Sequence, residues 1–100
     1  MFNIDNCPFC GDPEMIIEND LAFAHYDTYP VNDGHCLIIP RRHFAEYFEA
    51  TAEEKAAIWE LLDEVKPIID REFRPDGYNV GVNIGAAAGQ SIPHLHIHVI

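Results

Sequence analysis

Apolar positions fall in short clusters toward both ends of the 100-residue chain and recur at helical spacing through its middle. Residues 15–18 and 21–25 read as two short strands joined by a hairpin turn at Asn19-Asp20. His35-Cys36-Leu37-Ile38-Ile39 is a third strand, entered through Asn32-Asp33-Gly34 and ended by Pro40. Residues 43–48 predict a short helical turn, and a long helix follows over residues 52–73. Its apolar stripe is Ile58, Leu61, Leu62, Val65, Ile68, Ile69 and Phe73. Thr51 is a good N-cap, and Glu54 three residues later completes a capping box. Pro67 lacks a backbone donor, so a kink or a split is expected there. After the turn Arg74-Pro75-Asp76-Gly77, residues 78–84 read as a fourth strand and residues 85–89 as a small-residue loop. Leu95, Ile97 and Val99 alternate with histidines as a fifth. Strands, then helix, then strands predict an α+β domain: a mostly antiparallel five-stranded sheet, one long Pro-kinked helix and a short helix.

Composition narrows the function. One hundred residues make a single domain, and 48% hydrophobic residues suffice for a packed core. The net charge of −11, with six Lys and Arg, argues against a protein that lives on a nucleic-acid duplex, which needs clustered cations. A small anionic ligand needs only a few local donors and stays open. The N-terminus shows neither a basic segment nor an apolar signal core, and no apolar run has the length of a membrane span. A cytoplasmic protein with reduced thiols is expected. Of three cysteines, Cys7 and Cys10 form a C-x-x-C pair, while Cys36 lies in an apolar run and reads as core.

The chemistry concentrates in His94-Leu95-His96-Ile97-His98-Val99-Ile100. In a strand, positions 94, 96 and 98 face one way and 95, 97 and 99 the other, so three imidazoles oppose the core. They can be surface residues, a metal site using all three, or a catalytic array, since neutral imidazole attacks phosphorus well at pH 7.

The surrounding residues favour catalysis. Asn83-Ile84-Gly85, Ala88-Gly89-Gln90-Ser91, Pro93 and the alternating histidines closely resemble the signature of the histidine-triad (HIT) superfamily. The stretch Asp27-Thr28-Tyr29-Pro30-Val31, then Gly34-His35 through Pro40-Arg41-Arg42-His43, is similar to that family's earlier block. The resemblance runs from Cys7 to Ile100 and implies a nucleotide hydrolase or transferase that forms a covalent nucleotidyl-histidine at the α-phosphorus. Carried over by position, His96 is the nucleophile, and His98 and His35 contact phosphoryl oxygens and leaving group. Asn83, Gln90 and Ser91 donate to the phosphate or bridging atom, and Asp27 accepts from the ribose. Small residues around Gly89 would let backbone N–H groups approach a phosphate. The implied substrate is a purine nucleotide, a dinucleoside polyphosphate or nucleoside phosphoramidate, and the implied assembly a homodimer. No Lys or Arg falls within residues 75–100, so substrate-borne magnesium is a candidate for neutralising charge. Members of the family commonly continue beyond the motif, where determinants of leaving-group choice lie.

Cys7-Pro8-Phe9-Cys10 alone fits a redox dithiol, though no βαβ pattern follows it, a zinc half-site, or two reduced thiols. The resemblance implies a structural zinc on Cys7, Cys10, His43 and His94, which would make His94 a ligand rather than an acid–base group. Two rivals remain: a non-catalytic purine-nucleotide-binding module, and a zinc-dependent catalyst using the histidine triplet.

Overall fold

The structure, a computed structural model, describes residues 15–26, 34–90, 92 and 94–100. Its long helix α1 (Ala52–Phe73) starts where the sequence places a cap. Thr51 Oγ1 accepts from the Glu54 backbone N–H at 3.1 Å, and Glu54 Oε1 accepts from the Thr51 N–H at 2.9 Å. Ala57, Ile58, Leu61, Val65 and Ile69 bury one face of the helix. Pro67 does not split it. The carbonyl that Pro67 leaves without a helical donor belongs to Asp63, and both residues are on the exposed face, where the carbonyl is open to solvent. The buried stripe therefore continues past the interruption. The expected short helix shrinks to a 3-10 turn at Tyr47–Glu49.

Five strands form one sheet: β1 (Ile17–Glu18), β2 (Ala22–Tyr26), β3 (Cys36–Pro40), β4 (Val80–Gly81) and β5 (Ile97–Val99). Their order is β1-β2-β3-β5-β4, every pairing is antiparallel, and α1 spans the connection from β3 to β4. The α+β expectation holds, with the first, fourth and fifth strands shorter than predicted. Beside β4, only the Asn79–Ile100 pair prolongs the ladder, through N–H to carbonyl bonds of 2.7 and 2.8 Å. Beyond Gly81 the chain turns into a loop pinned at Gly85, whose N–H bonds to the Gln90 side chain. The last strand begins at Ile97 rather than His94, because the Leu95 N–H pairs with the carbonyl of Phe44, just past β3.

The sheet buries apolar residues on both faces. On the α1 side, Ala22, Ala24, Cys36, Ile38, Leu95, Ile97 and Val99 pack with Phe44, Ile58, Leu61, Val65 and Ile69. On the other face Phe23, Leu37 and Ile39 form a smaller cluster with Met15 and Ile92. A strand buried on both sides carries consecutive apolar residues, which explains the unbroken run in β3. Burial pushes the Cys36 thiol up to about 12, so it stays protonated as a core residue. Among the described residues, no helix is long and apolar enough to cross a membrane.

The start of α1 is also tied to the segment after β3. Arg42 grips the Glu54 carboxylate with two N–H groups at 2.8 and 3.1 Å and lies over the Phe44 ring. This pairing holds the Glu54 carboxyl below its ordinary range, against an opposing effect of burial. A lowered folded value means stability that is present above the ordinary carboxylate range and lost as pH falls through the folded value. Glu54→Gln, which keeps an acceptor for Thr51, therefore lowers the urea midpoint at pH 7. Its gap from wild type closes below about pH 4. A gap that persists unchanged at pH 3 contradicts this role.

Candidate active site

Strand register, more than sequence proximity, gathers the histidines. Leu37 pairs with His98 across β3–β5, and cross-strand partners share a face. His35, two residues before Leu37, therefore joins His98 from the entry of the neighbouring strand. Its Nε2 lies 3.4 Å from His98 Nδ1, with ring centroids 5.6 Å apart. His96 meets His98 edge to face, with centroids 4.9 Å apart. The structure thus brings His35, His96 and His98 together. His35 and His96 are buried, at 3% and 6% exposed, while His98 is half-buried.

The decisive contact is at His96, whose Nδ1 lies 2.8 Å from the His94 backbone carbonyl. A carbonyl only accepts, so Nδ1 carries the proton and, in the neutral ring, the lone pair is on Nε2. Imidazole in that tautomer, beside two more imidazoles, can attack an electrophilic centre and stabilise the charge that develops.

His94 is set apart from the other two. Its ring is fully buried, its Nε2 donates to the Pro40 carbonyl at 2.9 Å, and its Nδ1 lies 3.1 Å from Nδ1 of His43. Burial pushes His94 below the ordinary imidazole value, opposed by the bond to Pro40 and reinforced by His43 and His96. The neutral ring so fixed aims an Nδ1 lone pair at His43. Two nitrogen ligands on a tetrahedral zinc are separated by roughly 3.3 Å, given Zn–N bonds near 2.0–2.1 Å. The His43–His94 pair matches that separation, and the carbonyl behind His94 is the usual orienting partner of a metal-bound imidazole. Cys7 and Cys10 lie outside the described residues, and among the described ones no group of three or more His, Cys, Asp or Glu could hold a metal.

Asp27 and Ser91 also lie outside the described residues. The loop supports less of its expected role. The N–H groups of Ala88, Gly89 and Gln90 bond to the carbonyls of Gly85, Ala86 and Gly85. The 3-10 turn Ala86–Ala88 thus consumes the backbone donors expected to cradle phosphate. Gly89 instead supplies its left-handed conformation, φ 94°, to end that turn. The Asn83 Nδ2 makes only a long contact, 3.4 Å, to the Gly89 carbonyl from an exposed position. Gln90 spends both amide protons on the carbonyls of Ala45 and Ile92, so as placed it braces the chain and has no proton left for a phosphate.

The places of two residues in this region escaped the sequence reading. His25 pairs with Leu37 on β2, so it shares the face of His98 from one strand further away. Only the β2–β3 register reveals this. Phe73 packs its ring against Gly34, where an added Cβ would come within 2.9 Å of it, and meets Tyr26 edge to face. The end of α1 thereby holds the turn before His35, at a glycine whose φ of 84° suits no larger residue.

Comparison with known proteins supplies the family and fold relatives of the chain. The sequence model of the HIT domain covers residues 11–100, and the chain belongs to the HIT family. An uncharacterized 16.1 kDa HIT-like protein of Mycoplasma pneumoniae is 39% identical over 96% of this chain and 71% of its own. The AP-4-A phosphorylase of Mycobacterium tuberculosis is 34% identical over 93% of this chain, which spans 49% of that enzyme. Among solved structures, a HIT family protein from Bacillus anthracis superposes with a TM-score of 0.88 at 33% identity, covering 96% of this chain and 72% of that one. A zinc-bound histidine triad family protein from Mycobacterium smegmatis gives 0.86 at 26% identity, covering 98% and 76%.

Proposed function

We propose that this protein is a nucleotide hydrolase or transferase acting at the α-phosphorus of a purine nucleotide, with His96 as nucleophile. The observation that carries the reading is the bond from His96 Nδ1 to the His94 carbonyl, which puts the lone pair on Nε2. A relative named AP-4-A phosphorylase supports a dinucleoside polyphosphate as the substrate class. Attack by Nε2 forms an N–P bond while the bond from phosphorus to the leaving group breaks, and the leaving group takes up a proton. Water, or another acceptor, then attacks phosphorus and releases a proton that replaces the one taken up by the leaving group, the N–P bond breaks, and Nε2 recovers its lone pair. His98 and His35 donate to the oxygens on which charge accumulates. Asn83, Ser91 and Asp27 remain proposed contacts to phosphate and ribose, and magnesium arriving with the substrate offsets polyphosphate charge. A homodimer remains part of the proposal.

The test is intact-mass analysis after mixing with a diadenosine polyphosphate or adenosine phosphoramidate. The protein gains one nucleotidyl group, acid-labile and mapped to His96, and His96→Ala lowers turnover by at least about 10³-fold. Binding without turnover in the wild type would favour a non-catalytic module. Full activity in His96→Ala would refute the mechanism.

We also propose that Cys7, Cys10, His43 and His94 hold a structural zinc, which would join the N-terminal segment to the entry of the histidine strand. The 3.1 Å His43–His94 separation and the zinc-bound relative support it. Elemental analysis is expected to find about one zinc per chain. It is lost in His43→Ala and Cys7→Ser, with a lowered melting temperature, and kept in His96→Ala and His98→Ala. Metal that leaves with His96 or His98 would instead place it in the catalytic array.

A further inference from the structure

Gln90 is the one glutamine in the sequence. Its side chain joins three separate pieces of backbone. Oε1 accepts from the Gly85 N–H at 2.8 Å, and Nε2 donates to Ala45 at 2.7 Å and Ile92 at 3.0 Å. The partners fix the orientation of the amide. Rotating it by a half turn would point an oxygen at two carbonyls and an NH2 at an N–H, losing all three bonds.

We infer that Gln90 is a positioning residue of the nucleophile, acting through the backbone, and not a donor to the substrate. The inference rests on His96 being the nucleophile. A phosphate or bridging oxygen needs a donor, and both protons of the amide are committed to the chain itself. Those commitments lead toward the reacting atom. The Ile92 carbonyl that accepts from Gln90 also accepts from the His94 N–H at 2.8 Å. The His94 carbonyl in turn holds Nδ1 of His96. On the other side, Ala45 follows Phe44, whose carbonyl takes the Leu95 N–H at 2.8 Å. One amide thus registers the loop, the segment after β3 and the entry of the histidine strand against one another. A drift of about 1 Å at a reacting centre can cost about 10²-fold, so such a clamp matters without touching the substrate.

Two measurements test this. The first compares Gln90→Met, similar in length and without hydrogen-bonding capacity at its tip, with wild type over substrates of good and poor leaving groups. A positioning role predicts a kcat loss of about 10- to 100-fold. KM then changes by less than about 3-fold, with the same loss for every leaving group. A loss that grows as the leaving group worsens would make Gln90 a donor to it and overturn the inference. The second uses wild-type protein labelled with 15N-glutamine, in which a single side-chain NH2 pair appears. In nucleotide-free protein its protons exchange slowly, and AMP leaves their shifts unchanged. Fast exchange in free protein, with a large shift on adding AMP, would overturn it. This spectrum requires no turnover, so it separates failure of the clamp from failure of the proposed chemistry.

Discussion

The His94 carbonyl is the fixed point of the site. It accepts from His96 Nδ1 at 2.8 Å and determines which nitrogen of a neutral ring is basic. The same residue turns its own ring the other way, onto the Pro40 carbonyl and toward His43. Backbone and side chain of His94 therefore serve different neighbours. Any change that rotates the peptide of His94 would move the His96 lone pair, whatever became of the three imidazoles. The packing around it resists that rotation, since His94 is fully buried between Pro40 and His43, with Leu95 sunk in the core beside it.

The sheet converts this local arrangement into an array. The pairing of Leu37 with His98 brings His35 alongside a histidine 63 residues away in sequence. A slip of one residue between β3 and β5 would turn His98 to the helix side and Ile97 or Val99 to the side of the imidazoles. Burial on both faces opposes such a slip: Ile38, Ile97 and Val99 pack under α1, and Phe23, Leu37 and Ile39 pack opposite. Folding energy and the geometry of the histidine array thus depend on the same register.

Much of this was legible from residue order. The capping box at Thr51 and Glu54, the helical stripe, the antiparallel sheet and the approach of His35 to the triplet followed from periodicity and from the family pattern. What escaped depends on tertiary pairing. The Leu95 N–H finds Phe44 instead of a strand partner, so the fifth strand starts late. Pro67 looked like a break because its exposed position, which leaves the carbonyl of Asp63 open to solvent, shows only once α1 is packed. His25 carries no motif and becomes notable only through its pairing with Leu37. The loop around Gly89 suggested open backbone donors, yet the turn it forms absorbs them. The spacing of C-x-x-C, His43 and His94 was readable in advance, and the structure adds the separation of the two imidazoles.

The central claim, that a backbone carbonyl presets which nitrogen of His96 is basic, is tested most directly by the tautomer of His96 in free protein. Nitrogen-15 spectra of histidine-labelled protein, assigned by comparison with His96→Ala, report which ring nitrogen carries the proton at neutral pH. The account predicts a proton on Nδ1 and a bare, basic Nε2. A proton on Nε2 with Nδ1 bare would contradict it.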